Sequence, residues 1–524
     1  MEQNAGENLQ IKNIINLLQS SNCIEHFQKA ETQDAESMFY VGRNLIEGTN
    51  EFPQSIDIGL KYIIRASELH NYAAMEYYAS LLFKGDILPQ DKTKSTNLLT
   101  EVISKTNSIT AKLLYAQIEY SKRVAGANGF DDSEVNYVLA KEYSKEAAKS
   151  TPKNTEAMIL YAKISQKEKT NKFGSIERDF NESFKYFKEA ANLGNGDGMA
   201  YLGNFYSKGY GVTKIDKNLS LHYYRQSSKS GNLTGSAFYG GLLIDNENRA
   251  NEQEGLRLIK YACDRGNPQG MVAFGYSLFW GDGDLTVDKE KASKYFKMAA
   301  DLGHDMGMNN YACDLRDGIG VPRNIDESVR YFKLAIEEGN ILSARNYGNM
   351  LCKGFHDDCE NVLVQADRAL GKKYLKYAAD HDDVIAIEEY ASQLLNDEGN
   401  IDVAELRTYL ERGVQAKSTL CMKLYGAILL DGVPFEKDLM RGASYFKMAV
   451  DLNDENAMNV YGELLESGIG VDKDVEMARR YFQQAADLGD ESGIENYARF
   501  LEEGIGGEKC IEEGKKYRDL LLKS

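Results

Sequence analysis

The sequence predicts an all-α solenoid of about thirteen helix pairs, and three observations support this prediction. Only 6 prolines accompany 46 glycines and 33 tyrosines among 524 residues, a composition that suits packed helices separated by glycine. Apolar residues recur three and four positions apart, as at Ala457, Tyr461 and Leu464, which is the spacing of one helical face. The whole pattern returns about every 36 residues, and a period of this length indicates stacked pairs of helices.

Two markers divide each repeat into a first helix, A, and a second helix, B. The A marker is a bulky residue before a small one, and the B marker is the first residue of a "YF"-type pair. The A markers are Val41, Tyr78, Tyr115, Tyr161, Leu202, Tyr239, Phe274, Tyr311, Tyr347, Tyr390, Tyr425, Tyr461 and Tyr497. The B markers are Tyr62, Leu98, Tyr143, Tyr186, Tyr223, Leu258, Tyr295, Tyr331, Tyr374, Tyr409, Tyr445, Tyr481 and Tyr517. We expect one helix of about 12–14 residues around each marker.

Glycines and short polar residues predict where the helices end. Helix B usually ends at a glycine that precedes Asn, His or Asp, as at Gly194-Asn195. We expect the glycine to form a left-handed C-cap and the polar residue to cap the next helix A. A Gly-x-Gly motif after several A helices, as at Gly318 and Gly320, is similar to a phosphate-binding loop. Because this motif recurs with the repeat and follows a helix rather than a strand, we interpret it as a structural turn.

The spacing of the repeats also predicts how the chain is organised. Apolar residues at helical spacing near the N-terminus predict a degenerate helix pair, so residues 1–31 are assigned to an N-terminal helical cap. Residues 32–524 are assigned to one continuous solenoid. Insertions at residues 123–133, 167–179 and 353–366 lengthen the connection from helix A to helix B, and stacking in register would place them along one edge.

Charge and composition exclude several classes of function. The chain has 62 Lys and Arg against 80 Asp and Glu, a net charge of −18 and a pI near 5.0, which is the wrong sign for binding the phosphate backbone of a nucleic acid. The sequence contains no apolar run long enough for membrane insertion, and its N-terminus lacks the basic region of a secretory signal. Seven cysteines without a C-x-x-C pair fit reduced thiols, so we expect a soluble cytoplasmic protein.

The best-formed repeat resembles a known family. It carries Ala457, Tyr461, Gly462, Leu464, Gly468, Gly470, Val471, Asp474, Ala478, Tyr481, Phe482, Ala485, Ala486 and Gly489. This run is similar to the Sel1-like repeat, a relative of the tetratricopeptide repeat (TPR). The resemblance implies a right-handed, TPR-like superhelix whose A helices line the concave face. It also implies an adaptor role in assembling protein complexes, and it implies no chemistry by itself.

The sequence predicts no catalytic, cofactor or metal site. Cys352, His356 and Cys359 form the best metal-like cluster, because sulfur and imidazole are zinc ligands. A fourth sulfur or nitrogen ligand is missing nearby, and an acidic loop with free thiols is the alternative interpretation. We therefore expect no catalytic residue, no cofactor and no bound metal, and a protein that is not an enzyme.

The expected inner face offers a candidate peptide-binding groove. Helical geometry turns the positions two before, two after and five after the A marker toward this face. In three central repeats these positions combine aromatic residues with amide and guanidinium donors. The candidate residues are Tyr276, Phe279, Asn309, Arg316, Arg345 and Asn349. Asn can bond an extended backbone and Arg can pair with a carboxylate, so an acidic or C-terminal protein segment is the expected ligand. Ordinary exposed helix surface is the alternative.

The predicted function is a non-enzymatic scaffold or adaptor that binds proteins through the concave face and the edge loops. Two alternatives stay open: a structural subunit of a large assembly such as a cytoskeletal array, and an adaptor of a protein-degradation complex. All three of these functions require a protein partner, and none of them involves nucleic acid or membrane insertion.

Overall fold

The computed structural model describes residues 11–125, 137–166, 179–209, 214–244, 249–356, 362–396 and 401–521. Within these ranges the chain forms twenty-eight α-helices and one two-stranded hairpin. The chain divides into two compact units, Met1–Gly339 and Asn340–Ser524.

The described part of the first unit has an N-terminal helix pair and eight A–B pairs. Helix α1 covers residues 11–17, and α2 covers Ser21–Glu31. The A–B pairs are α3 (Ala35–Glu47) and α4 (Ile56–Glu68), α5 (Tyr72–Lys84) and α6 (Lys92–Thr106), α7 (Ile109–Ala125) and α8 (Tyr137–Lys149), α9 (Thr155–Gln166) and α10 (Phe180–Asn192), α11 (Gly196–Lys208) and α12 (Lys217–Lys229), α13 (Leu233–Ile244) and α14 (Arg249–Asp264), α15 (Pro268–Trp280) and α16 (Lys289–Asp301), and α17 (Asp305–Asp317) and α18 (Ile325–Glu337).

The described part of the second unit has five A–B pairs and the hairpin. The first pair is α19 (Ile341–Lys353) and α20 (Arg368–Asp380), with strands β1 (Phe355–His356) and β2 (Val362–Val364) between them. The other pairs are α21 (Val384–Leu395) and α22 (Val403–Gln415), α23 (Thr419–Asp431) and α24 (Leu439–Val450), α25 (Glu455–Ser467) and α26 (Val475–Asp487), and α27 (Glu491–Glu503) and α28 (Ile511–Leu521).

The predicted fold class is confirmed. Every A marker and every B marker lies inside its own helix, and each A helix packs against the B helix that follows it. Near the N-terminus, Ile14 and Phe27 share one apolar core with Val41 of α3, so the first helices cover the end of the first A–B pair. The cap boundary at residue 31 and the continuity of residues 32–524 stay predictions.

The hairpin is a feature that the sequence analysis missed. Phe355 pairs with Val364, and His356 pairs with Val362. The strand sequence Val362-Leu363-Val364 is rich in β-branched residues, which favour extended backbone, and this signal lies inside the insertion predicted at 353–366. The other two predicted insertions fall mostly on residues outside the described ranges.

The zinc-like cluster does not come together in the part of the chain that the structure describes. Cys352 is buried on α19, where a Cβ added at Gly371 would come within 2.5 Å of its Sγ. Burial raises the pKa of this thiol to about 11, which disfavours the thiolate that binds zinc. Cys359 lies outside the described residues. No three His, Cys, Asp or Glu side chains of the described ranges form a metal-binding group.

The helix ends follow the predicted capping pattern. Asn195 accepts a hydrogen bond from the Gly198 N–H at 2.9 Å, and Gly194 before it has a φ of 82°, which only glycine adopts at low cost. Equivalent N-caps of A helices are Asn71, Asn232, Asn267, His304, Asn340, Asp383, Ser418, Asp454 and Asp490. These caps satisfy the donors of each first turn and fix where each A helix begins.

The two helices of a pair cross at facing small residues. On helix A the small residue directly follows the A marker, and on helix B it lies three positions before the B marker. Both are glycine at Gly42/Gly59, Gly240/Gly255, Gly348/Gly371 and Gly426/Gly442, where a Cβ on either residue would come within 3.0 Å of the other's carbonyl oxygen. In three other pairs a serine of helix B donates to the A carbonyl: Ser95 to Ala79, Ser183 to Ala162 and Ser328 to Ala312, at 2.7–2.9 Å. The backbones therefore approach too closely for larger side chains.

The two markers of a pair meet at the same place. In nine described pairs both markers are aromatic, and their ring centroids lie 4.6–5.5 Å apart. Most of these rings meet edge to face, which is the arrangement that the ring quadrupoles favour. The residues that define the sequence period are thus the contacts that hold each pair together.

The Gly-x-Gly turns space neighbouring pairs. Gly320 and Gly470 have φ values of 69° and 70°. A Cβ at Gly320 would lie 2.2 Å from the carbonyl oxygen of Lys289, and one at Gly470 would lie 2.0 Å from that of Leu439. Lys289 and Leu439 begin the B helices of the preceding pairs, so the motif is a packing turn rather than a phosphate loop.

None of the described helices combines the length and the apolar character that crossing a bilayer requires.

Two adjacent glycines of α13 test the crossing contact. Gly240 lies at the crossing, whereas a Cβ at Gly241 would meet no atom within 4 Å. Gly240→Ala should lower the free energy of unfolding by about 1–3 kcal/mol because the backbones must separate. Gly241→Ala should leave it unchanged or raise it by up to about 1 kcal/mol because Ala is the better helix former. Urea denaturation followed by circular dichroism measures both, and equal effects would contradict the crossing geometry.

The turn contact predicts a second difference between two glycines of the second unit. Gly470 and Gly489 both have positive φ, so alanine costs about 1–2 kcal/mol of backbone strain at either position. A Cβ at Gly489 meets no atom within 4 Å. Gly470→Ala should therefore destabilise the chain by about 1–3 kcal/mol more than Gly489→Ala. Urea denaturation followed by circular dichroism measures both losses of the free energy of unfolding. A larger loss for Gly489→Ala would contradict the role of the turn in spacing neighbouring pairs.

Candidate functional site

A groove of about 870 Å³ lies on the A-helix side of the first unit. Most of its lining comes from successive A helices, α7, α9, α11, α13 and α15, and from the start of α17. The B helices add Phe180, Tyr224 and Ile259, and the segments after α16 and α18 complete it. We define this first-unit groove by the lining residues Tyr120, Tyr201, Phe238, Tyr276, Trp280 and Leu302. Neighbouring A helices contact each other along it, so its floor is a continuous row of helices.

The centre of the first-unit groove is aromatic and exposed. Trp280 is the single tryptophan of the sequence, and 70% of it is accessible to solvent. Leu302 and Tyr276 are also exposed. Phe238 stacks on Tyr224, with the ring centroids 4.9 Å apart. This contact holds the Phe238 ring in place before any ligand arrives. An apolar patch in a concave site is typical of a binding surface.

Helix α13 leaves open space above the groove floor. Its sequence, LTGSAFYGGLLI, has no charged residue. One side, including Ser236 and Gly240, is buried, while Ala237, Gly241 and Leu242 line the groove. Because a Cβ at Gly241 would meet nothing within 4 Å, the groove is unobstructed at this point and could admit a ligand side chain.

Hydrogen bonds between N-caps fix one edge of the groove. Asn267 donates from Nδ2 to Thr234 Oγ1 at 3.1 Å. His304 Nδ1 accepts from the Gly307 N–H at 3.4 Å, and its Nε2 lies 3.1 Å from Gln269 Oε1. These bonds join the starts of α13, α15 and α17.

The structure brings Tyr276 and Asn309 together through a residue that the sequence analysis did not select. Tyr276 Oη donates to Asn310 Oδ1 at 3.0 Å, and Asn309 Nδ2 donates to the same oxygen at 3.1 Å. Desolvation around its hydroxyl raises the pKa of Tyr276, although 39% of the residue is exposed. Tyr276 lines the groove, whereas Asn309 is buried. The amide of Asn309 is thus engaged within the protein, and Asn310 anchors the groove tyrosine.

Phe279 and Arg316 have other contacts in the first unit. Phe279 packs beside Trp280, with the ring centroids 5.0 Å apart, and Lys289 Nζ lies 5.3 Å from the Phe279 centroid. Arg316 forms a two-bond ion pair with Asp317, with both distances 2.7 Å. The positive charge that we expected Arg316 to offer an acidic ligand is therefore balanced by its neighbour.

Arg345 and Asn349 belong to the second unit. Arg345 Nη1 lies 3.1 Å from Asp383 Oδ2, and Asp383 is the N-cap of α21. Asn349 Oδ1 is buried, with no hydrogen-bond partner among the described residues. Arg345 therefore ties α19 to the start of α21. A peptide-binding role for the six predicted residues stays a prediction.

Some of the positions that the sequence rule selects line the first-unit groove, and others do not. In α15 the positions two before and two after the marker, Val272 and Tyr276, do line the groove. At the C-terminal end of α15 the lining residue is Trp280, six positions after the marker. Phe279, the predicted position five after the marker, does not line the groove. Applied to α9 and α13, the same rule selects Lys163 and Gly241, which line the groove. Helical periodicity is therefore the signal by which these lining residues can be found in the sequence.

A buried carboxyl group lies behind the groove on α17. Asp314 is 5% exposed, and burial raises its pKa to about 7. Asp314 Oδ2 and Asn310 Nδ2 are both buried and have no hydrogen-bond partner within the described ranges. A buried acid with this pKa loses its proton near neutral pH at a cost in stability.

Comparison with known sequences identifies the repeat. Ten segments match the Sel1 repeat: residues 35–71, 73–101, 114–151, 155–195, 196–232, 268–304, 306–340, 341–383, 419–454 and 456–490. They cover more than half of the chain. The chain belongs to the Sel1 repeat family. Three further pairs in the described part of the chain, α13–α14, α21–α22 and α27–α28, have the same two-helix arrangement outside the matched segments.

Three individual proteins show how far the likeness to other Sel1 repeats extends. Chitin synthase regulatory factor 2 of Schizosaccharomyces pombe is 25% identical over 167 residues, which are 28% of this chain and 31% of that protein. The chain therefore spans about a third of the length of this curated relative. A protective antigen of uropathogenic Escherichia coli is 17% identical, with coverage of 96% and 94% and a TM-score of 0.48. A Sel1 repeat protein from Oxalobacter formigenes is 17% identical, with coverage of 54% and 96% and a TM-score of 0.34.

The raised pKa of Asp314 predicts a pH-dependent stability. The unfolded acid ionises near pH 4 and the folded one near pH 7, so the folded state holds one more proton between these values. The contribution of Asp314 to the free energy of unfolding therefore falls as pH rises from 4 to 7 and stays low above. Asp314→Asn should gain stability over the unmodified chain by on the order of 2 kcal/mol more at pH 8 than at pH 5. Urea denaturation at both pH values tests this, and a pH-independent difference would contradict it.

Proposed function

We propose that this protein is a non-enzymatic scaffold that binds a segment of a partner protein in the first-unit groove. The observation that carries the proposal is the exposed aromatic centre, in which Trp280, Tyr276 and Leu302 face a space lined by successive A helices. Apolar side chains that are this exposed in a concave site gain free energy when a partner covers them.

The family supports a binding role rather than catalysis. Sel1 repeats generally mediate protein–protein interactions, and ten of them match this chain. The fission yeast relative is named as a regulatory factor of an enzyme, which agrees with a regulatory scaffold. Because the match covers about a third of that relative, we take from it only this class of role.

The cysteines support a cytoplasmic location for the scaffold. Six of the seven cysteines lie in the described ranges, and all six are free thiols. Free buried thiols such as Cys263 and Cys421 are typical of proteins kept in a reducing compartment. We therefore propose that the partner protein is also met in the cytoplasm.

Site-specific photo-crosslinking tests the proposed surface. A benzophenone amino acid replaces Gly241, where the groove is open, in cells that produce the protein. The control carries it at Gln226, an exposed position on B helix α12 that does not line the groove. We expect position 241 to capture a defined set of proteins that position 226 does not capture, because only a ligand in the groove passes over Gly241.

Two outcomes of the crosslinking experiment are informative. A set of proteins specific to position 241 that disappears when Trp280→Ala is added supports binding at the aromatic centre, because the indole supplies much of the exposed apolar area. Identical captured sets at positions 241 and 226, or none at 241, would refute the first-unit groove as the binding site.

A further inference from the structure

One glycine of the first-unit groove has no structural reason to be a glycine. Gly241 lies inside helix α13 and does not have a positive φ. A Cβ at Gly241 would meet no atom of the described chain within 4 Å, whereas a Cβ at Gly240 would lie 2.7 Å from the carbonyl oxygen of Gly255. Neither the backbone conformation nor the packing at position 241 therefore requires the side chain to be absent.

The other described glycines have reasons that Gly241 lacks. An added Cβ would find open space at four of them, and all four have positive φ: Gly194, Gly231, Gly266 and Gly489. At every other described helical glycine, an added Cβ would come within 3.0 Å of another residue. Glycine inside a helix is less stable than alanine. Gly241 therefore weakens its helix without improving the packing of the described chain, which indicates a role in binding.

The absent side chain leaves a gap in a row of side chains that crosses the groove. The residue two positions after the A marker lines the groove in four successive A helices. These residues are Lys163 on α9, Asn204 on α11, Gly241 on α13 and Tyr276 on α15. Helix α13 contacts both α11 and α15. We call the space between Asn204 and Tyr276, above Gly241, the Gly241 gap.

The surroundings of the Gly241 gap are apolar along α13. Phe238 and Ile244 lie three positions before and three positions after Gly241, so they flank it on the same helix. Both residues line the groove, and α13 carries no charged residue. A charged ligand side chain would lose hydration here without gaining a partner from α13. The gap therefore favours an apolar side chain.

Two rings beside the Gly241 gap are held in place without a ligand. Phe238 stacks on Tyr224, with the ring centroids 4.9 Å apart. Tyr276 donates its hydroxyl hydrogen to Asn310, and its ring meets Phe296 edge to face at a centroid distance of 5.3 Å. Fixed rings offer an incoming ring the offset or edge-to-face contacts that aromatic pairs favour. Because these rings are already ordered, little entropy is lost when a ligand arrives.

We propose that Gly241 determines the specificity of the first-unit groove, and that the bound segment places one aromatic side chain in the Gly241 gap. The ligand ring completes the row between Asn204 and Tyr276, at the position where α15 carries a tyrosine of its own. Smaller side chains leave part of the gap unfilled and lose dispersion contacts. This inference rests on the proposed function and adds the side chain that the groove recognises.

A random twelve-residue peptide display library tests this proposal. After selection on the full-length protein, the peptides that do not bind Trp280→Ala are kept, which identifies ligands of the groove independently of Gly241. We expect these peptides to share one aromatic residue. They should bind Gly241→Leu at least about tenfold more weakly, because the leucine fills the gap. Gln226→Leu, at an exposed position of α12 outside the groove lining, is the control that should bind them unchanged.

Changing both sides of the contact separates a filled gap from a distorted helix. In a synthetic peptide of the selected sequence, replacing the shared aromatic residue with alanine should weaken binding to the unmodified chain at least about tenfold. This alanine peptide should bind Gly241→Leu as well as it binds the unmodified chain, because the leucine then occupies the space that the ring has left. Gly241→Ala, whose small side chain leaves α13 undisturbed, should weaken binding of the aromatic peptide less than Gly241→Leu does.

The outcomes separate this inference from the proposed function. Peptides that depend on Trp280 but share no aromatic residue, or that bind Gly241→Leu unchanged, would overturn the role of Gly241 and leave the groove as a binding site. Equal losses of affinity for the aromatic and the alanine peptide in Gly241→Leu would also overturn it. A selection without any peptide that depends on Trp280 would overturn the proposed function together with this inference.

Discussion

The close crossing of helix A over helix B is the constraint on which the rest of this structure depends. At the crossing a small residue on each helix faces the other backbone, and the marker rings meet beside it. Substituting either small residue forces the helices apart, while the edge-to-face rings hold them together. This local contact recurs in most of the described pairs, although α22 has the larger Leu406 at the crossing position. It therefore sets both the spacing of the helices and the period of the sequence.

The crossing also decides which face of helix A is left for a ligand. Ser236 and Gly240 are buried by packing, so another side of α13, with Gly241 and Leu242, is left to line the groove. N-cap hydrogen bonds such as Asn267 to Thr234 then align successive A helices. The groove is thus a by-product of rigid packing, and its aromatic centre is ordered without a ligand, which reduces the entropy lost on binding.

The fold could be predicted from the sequence because the crossing requires small and aromatic residues at fixed positions of the repeat. Glycine, Asn and the marker aromatics each have one local role, so helix ends and helix pairs followed from residue type and spacing alone. The groove chemistry was less accessible because it depends on how charges pair in space. Arg316 looked available in the sequence, yet its guanidinium meets Asp317, and Asn309 turned out to be buried. The hairpin at Phe355 was not predicted because helical periodicity carries no information about two strands that pair across a loop.

The central claim is that packing at the crossings leaves an ordered, water-exposed aromatic centre ready to receive a protein segment. Trp280 is the single tryptophan, so its fluorescence measures this directly. In the free full-length protein the account predicts red-shifted emission that acrylamide quenches efficiently, and a blue shift with loss of quenching when a groove-binding peptide saturates the site. Emission from Trp280 that is already shielded from acrylamide in the free protein, or that does not change on saturation, would contradict the account.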